Sequence, residues 1–133
     1  MLMKQEVEAA FEEMMDISTD IDRAMLFDPA GVLASNVAEE AQAATIDRAR
    51  ELISLAETRA AEMGPQPFTQ LVIETPAGYV FLARESGAEG MTILATGKKG
   101  SRVGLVLYDL KTCLRDAREA DAGAVADRDQ KEE

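Results

Sequence analysis

Between residues 5 and 18, Val7, Ala10, Phe11, Met14 and Ile17 recur at three- and four-residue steps with glutamates between them. That spacing predicts an amphipathic helix. Two short strands are predicted next, over 22–28 (DRAMLFD) and 31–36 (GVLASN), joined by Asp28-Pro29-Ala30-Gly31. Proline presets the turn φ, and glycine takes the left-handed position after a type I turn, so the pair forms a hairpin. A long helix is predicted over 38–63, closed by Gly64, Pro65 and Pro67. The β-rich run 68–75 (FTQLVIET) then meets a second Pro-Ala-Gly turn, Thr75-Pro76-Ala77-Gly78, and returns over 79–84. Gly87 and Gly90 break the chain before a last strand, 91–96. Ser101 is placed to cap a final helix over 102–118, whose stripe is Val103, Val106, Leu107, Leu110, Cys113, Leu114 and Ala117. Residues 119–133 have no apolar period, so a single domain over 1–118 is expected, followed by a frayed or disordered acidic tail.

The resulting order, α-β-β-α-β-β-β-α, belongs to the α+β class. Turns this short favour antiparallel pairing, hence one five-stranded antiparallel sheet with helices packed on it. Two of its elements carry more apolar surface than one small chain can cover. On the central helix Ala49, Ile53, Ala56, Ala60 and Met63 form one stripe, and Leu52 and Leu55 widen it beside Arg48 and Arg59. In the strand 68–75, Phe68 and Val72 face one way and Leu71 and Ile73 the other. An edge strand of that kind is sticky, and pairing with its copy in a second subunit would cover it. A homodimer is therefore expected, with Phe68, Leu71, Val72, Ile73, Leu52 and Leu55 at its interface. Arg48, Leu52, Leu55 and Arg59 would form a mixed apolar and basic ridge for a further protein partner.

Composition narrows the chemistry. With 47% hydrophobic and 29% charged residues the chain is globular, and no apolar run is long enough to cross a bilayer. The start shows no secretory signal, and one cysteine fits a reducing compartment, so a cytoplasmic location is expected. A net charge of −11 repels nucleic acid and anionic lipid. The lack of histidine removes every His-based triad, general base and metal site. Gly97-Lys98-Lys99-Gly100-Ser101 has the context of a phosphate loop, but Thr92 stands where its first glycine belongs and Lys99 where Ser or Thr belongs. Lys98, Lys99 and Arg102 are still the densest basic patch. The glutamates at 6, 8, 12 and 13 fit a solvated helix face, and the methionines at 14, 15, 25, 63 and 91 fit core filling. Cys113 fits a buried structural thiol. No catalytic, cofactor-binding or metal-ligating residue is expected, and no enzyme activity.

These residues resemble the Roadblock family, which is named for dynein light chains and includes bacterial regulators of Ras-like GTPases. The resemblance runs from about Val7 to Ala117. It rests on Ala24-Met25-Leu26-Phe27-Asp28-Pro29-Ala30-Gly31-Val32-Leu33-Ala34-Ser35, on Gln70-Leu71-Val72-Ile73-Glu74, and on Val103-Gly104-Leu105-Val106. Arg102-Val103 stands where the family commonly has Asn-Leu, and Leu107 where it has Arg. The resemblance implies a profilin-like sheet with the first and last helices on one face and the central helix on the other. It also implies dimers that pair their third strands and central helices, and a Ras-like small GTPase as partner, with no arginine finger assigned. A structural adaptor without nucleotide dependence is the alternative. A small-ligand sensor is a third reading, and it would need a cavity with convergent polar groups between helix and sheet.

Overall fold

The computed structural model describes residues 4–87 and 89–132, with the side chains of 5–87 and 89–119. Its elements are α1 (Lys4–Ile17), β1 (Ile21–Asp28), β2 (Gly31–Ser35), α2 (Glu39–Met63), β3 (Gln70–Thr75), β4 (Gly78–Arg84), β5 (Thr92–Lys98) and α3 (Val103–Glu132). The five strands form one sheet in the order β2-β1-β5-β4-β3, with every neighbouring pair antiparallel. β2 and β3 are its two edges.

Both predicted hairpins form, with Asp28 paired to Gly31 and Thr75 to Gly78. A side-chain oxygen holds each turn. Asp28 Oδ1 accepts from the amides of Ala30 and Gly31, at 2.8 and 3.1 Å. Thr75 Oγ1 accepts from those of Ala77 and Gly78, at 3.2 and 3.1 Å. Gly31 and Gly78 have φ of +144° and +155°, a more extended conformation than the compact left-handed one expected from the turn type.

The two sheet faces are covered unequally. On one, α1 and α3 bury Val7, Phe11, Met14, Val106 and Leu110 against Leu26, Phe81 and Ile93. On the other, Ile46 and Ala49 of α2 pack on Met25 and Phe27, with Ile53 and Leu94 partly buried beside them. Met63, expected to continue the α2 stripe, is 77% exposed, so the C-terminal end of that stripe lies outside the core. Met14, Met25 and Met91 are buried as core filling requires.

Three boundaries differ from those expected by two residues or more. β3 starts at Gln70 rather than 68. β5 runs on to Lys98, because Gly97 pairs with Ile21 and Lys98 with Gly78. The last helix, expected to end at 118, continues as helical backbone to Glu132 through the stretch read as a frayed or disordered tail. Ala, Arg and Glu hold a helix without an apolar stripe. Glu133 lies outside the described residues.

Candidate functional site

The open edge of β3 can be assigned atom by atom from its register. The Arg84 amide donates to the Thr69 carbonyl at 3.0 Å. In an antiparallel ladder, pairs that exchange hydrogen bonds alternate with pairs that do not. With Leu71 opposite Leu82 and Ile73 opposite Val80, these pairs exchange bonds inside the sheet. Gln70, Val72 and Glu74 therefore turn their N–H and C=O groups outward, away from β4.

The side chains alternate as well. Val72, opposite Phe81, packs toward the α1/α3 core. Leu71 and Ile73 face the α2 side; Leu71 is half-buried and Ile73 is 37% exposed. Phe68 does not share a face with Val72, contrary to the sequence expectation. It lies outside β3, so strand alternation does not reach it, and its ring sits 4.7 Å from the Arg84 guanidinium. Arg84 in turn pairs with Glu57 of α2 at 2.7 Å, with side chains 13% and 29% exposed. This Phe68–Arg84–Glu57 link between strand and helix went unnoticed in the sequence. Its only signal was a lone charge ending the apolar run of β4.

On α2, Glu57 reaches Arg84, and the Arg50 guanidinium donates to the Pro29 carbonyl at 3.4 Å. These contacts turn one flank of the helix toward the β1–β2 turn and the Arg84 end of β4. At about 100° per residue, Leu52 and Leu55 lie on the opposite flank of the helix. Leu52 is half-buried and Leu55 is 54% exposed. Arg48 and Arg59 extend the same line and are exposed. Arg59 Nη1 donates to both carboxylate oxygens of Glu62, at 2.6 and 2.7 Å, so a partner's carboxylate would compete with that pair. The four ridge residues thus share one flank of α2, on the sheet face that Leu71 and Ile73 also occupy, whereas Val72 lies on the other face.

The basic loop is already engaged. Asp20, 6% exposed, accepts from the Arg102 amide at 2.9 Å and from Arg102 Nε at 3.2 Å, and Lys98 Nζ lies 3.5 Å away. The Arg102 amide, then the guanidinium and the Lys98 ammonium, hold the Asp20 carboxyl below its usual 3.8. An anion arriving at the start of α3 would meet a carboxylate in place. Ser101, expected as the helix cap, instead donates its hydroxyl to the Lys98 carbonyl at 2.6 Å, because Asp20 reaches the helix start from the turn before β1. Cys113 is 2% exposed, and burial, aided by the charges of Asp116 and Glu13, pushes its thiol up to about 12.

A cleft of about 410 Å³ between α2 and the sheet is lined by Phe27, Asp28, Arg50, Ile53, Glu57 and Arg84 among others. Its polar groups already have partners within the chain: Asp28 in its turn, Arg50 on Pro29, Arg84 on Glu57. Among the described residues no group of three or more acidic or cysteine side chains is placed to hold a metal ion, and no helix is long and apolar enough to cross a membrane.

No family model matches the sequence, and a search of curated proteins finds no relative. Solved structures do match. A Roadblock/LC7 domain from Streptomyces avermitilis superposes with a TM-score of 0.73 at 13% identity, over 84% of this chain and 94% of that one. The gliding protein MglB of Thermus thermophilus gives 0.73 at 17% identity, over 90% and 91%. An MglB described with a tetrameric arrangement gives 0.70 at 20% identity, over 88% and 91%. With TM-scores of 0.70 or more over most of both chains, the chain has the Roadblock fold.

Proposed function

We propose that this chain is a non-catalytic homodimeric module that binds and regulates a Ras-like small GTPase in the cytoplasm. The observation that carries the reading is the open β3 edge, with its outward amides, in a chain whose α2 also leaves Leu55 exposed. An edge with unpaired backbone groups and apolar residues on both faces invites a second strand. A twofold pairing of β3 with its copy, through Leu71, Val72 and Ile73, would bring the two α2 flanks together at Leu52 and Leu55. Such a seam suits an interface of about 1,200–2,000 Å². Phe68 would support it from beneath Arg84. The paired helices would leave Arg48 and Arg59 on a ridge for the GTPase, where guanidinium groups serve both contact and steering. The MglB with a tetrameric arrangement supports self-association within this fold. Regulation would act by positioning the GTPase's own groups.

The test loads Ras-like GTPases from the same genome with GDP or a non-hydrolysable GTP analogue and measures capture by this chain. Preference for one nucleotide state is expected. Equal capture of both states would assign the structural adaptor role, and capture of neither would remove the GTPase reading. Arg48→Glu with Arg59→Glu, in a chain shown to remain dimeric, should weaken capture at low salt. Unchanged capture would place the site elsewhere.

A further inference from the structure

The sheet has a second open edge, β2, and its backbone groups can be placed from the register. The Asn36 amide donates to the Ala24 carbonyl at 3.2 Å. Alternation along the ladder makes Leu26–Ala34 the next bonded pair and leaves Met25–Ser35 between them unbonded. Ser35 therefore turns its N–H and C=O away from β1. The Leu33 carbonyl, across a trans peptide from the inward Ala34 amide, points outward as well. A row of outward donors and acceptors is a template for another strand.

Space for that strand lies beside the edge. A groove of about 540 Å³ runs between α1 and β2, bordered on the strand side by Ala34 and Ser35. Glu8, Glu12 and Asp16 border the same groove from α1. Four residues apart, they follow one flank of the helix. Glu12 and Asp16 are exposed, and neither forms an ion pair among the described residues.

The edge calls for a strand, and the charge selects which strand. A second copy fits poorly. Twofold β2 pairing would bring two acidic rows to one seam, in a chain of net charge −11. A strand bearing cations is complementary. Successive carboxylates on α1 are spaced by about 6 Å, four residues at 1.5 Å each, and side chains on one face of a strand recur about every 6.6 Å. Basic residues at alternate positions can thus meet successive carboxylates.

We propose that the β2 edge receives an extended segment of a partner protein with lysine or arginine at every second position, its backbone bonding to Ser35 and Leu33 and its cations pairing with Glu12 and Asp16. β2 lies at the far edge of the sheet from β3, and α1 on the face opposite α2, so the proposal stands independently of the GTPase reading.

The probe is a short capped peptide alternating lysine and valine, titrated into the full chain and followed by amide chemical shifts. Saturable shifts are expected over residues 33–36 and 8–16, weaker as salt is added. An isomer with its lysines in one block carries the same charge and should bind several-fold more weakly. Two N-methylated versions, one blocked at the lysine amides and one at the valine amides, lose the donors of opposite edges of the peptide strand. One should lose binding and the other keep it. Glu12→Gln with Asp16→Asn, both exposed, should weaken binding about two- to thirtyfold, the effect of two surface ion pairs, at an unchanged melting temperature. The proposal is overturned by no binding of the alternating peptide, by equal binding of the block isomer, or by loss of binding with both or neither of the methylated peptides. Undiminished binding to the double variant, or shifts centred on β3, would overturn it too.

Discussion

Proline at position 72 tests the register of β3 and the dimer together. The Val72 amide points away from β4, so Val72→Pro leaves every β3–β4 hydrogen bond in place. Proline belongs on an edge strand in that orientation. Within the chain, the change alters a half-buried side chain against the α1/α3 core, at a cost of about 1 kcal/mol. Between subunits the cost is larger. A twofold β3 pairing uses the amide from each copy, so two hydrogen bonds are lost per dimer. At about 0.5–1.5 kcal/mol each, the dimer weakens by about 1–3 kcal/mol, or roughly five- to 150-fold in Kd. Leu71→Pro is the control. Its amide points inward, to the carbonyl of the fully buried Leu82, and removing it leaves that carbonyl orphaned, at about 1–3 kcal/mol of folding stability on top of the packing loss. Sedimentation velocity across a dilution series reads the assembly, and urea midpoints read the fold. The expected result is a folded, mostly monomeric Val72→Pro and a strongly destabilised Leu71→Pro. A Val72→Pro dimer as tight as the parent would refute the β3 seam, as would a parent that is monomeric throughout. Equal destabilisation by the two prolines would refute the register.

Three further outcomes follow from packing and charge. A Cβ at Gly97 would lie 2.7 Å from Phe81 Cε2 and 2.8 Å from Ser101 Oγ, so Gly97→Ala should lower stability by about 1–3 kcal/mol, read from the urea midpoint. Asp20 has a depressed pKa in the folded state, so its contribution is full above its ordinary value of 3.8 and is lost as pH falls through the lower folded value. Asp20→Asn should therefore melt lower than the parent at neutral pH, and the gap should narrow below pH 3.8. Cys113, with its thiol pushed up to about 12, should resist iodoacetamide at pH 8 while the chain is folded and react once urea unfolds it; fast labelling of the native chain would contradict its burial.

Local chemistry made much of this fold legible. Each Pro-Ala-Gly turn is preceded by an oxygen-bearing side chain, Asp28 or Thr75, and these short signals placed four of the five strands. The α3 stripe was equally clear, since Val106, Leu110, Cys113 and Leu114 are all buried. What escaped depended on partners far apart in sequence. Asp20 caps a helix that begins 83 residues later in the chain, at Val103, while the nearby Ser101 looked sufficient. Phe68 appeared to continue the β3 alternation, but a cation from β4 decides where its ring rests. The apolar ridge of α2 was visible in its periodicity. That Arg59 is engaged by Glu62 needed rotamers, which no periodicity encodes.

The unequal covering of the sheet also sets a hierarchy of motions. α2 is anchored by Ile46, Ala49 and Ile53 and by the Glu57–Arg84 pair, whereas α1 and α3 share a continuous buried layer. Segments with few buried contacts open at free energies below that of global unfolding. Amides of α2 should therefore exchange with deuterium sooner than those of β4, β5 or the α3 segment around Leu110. Whatever docks on α2 will slow that exchange by mass action, with protection rising as the logarithm of partner concentration. The helix thus reports its own occupancy: a partner too weak for capture would still register as a slower hydrogen clock on α2, while the clock of the α1/α3 layer kept its rate.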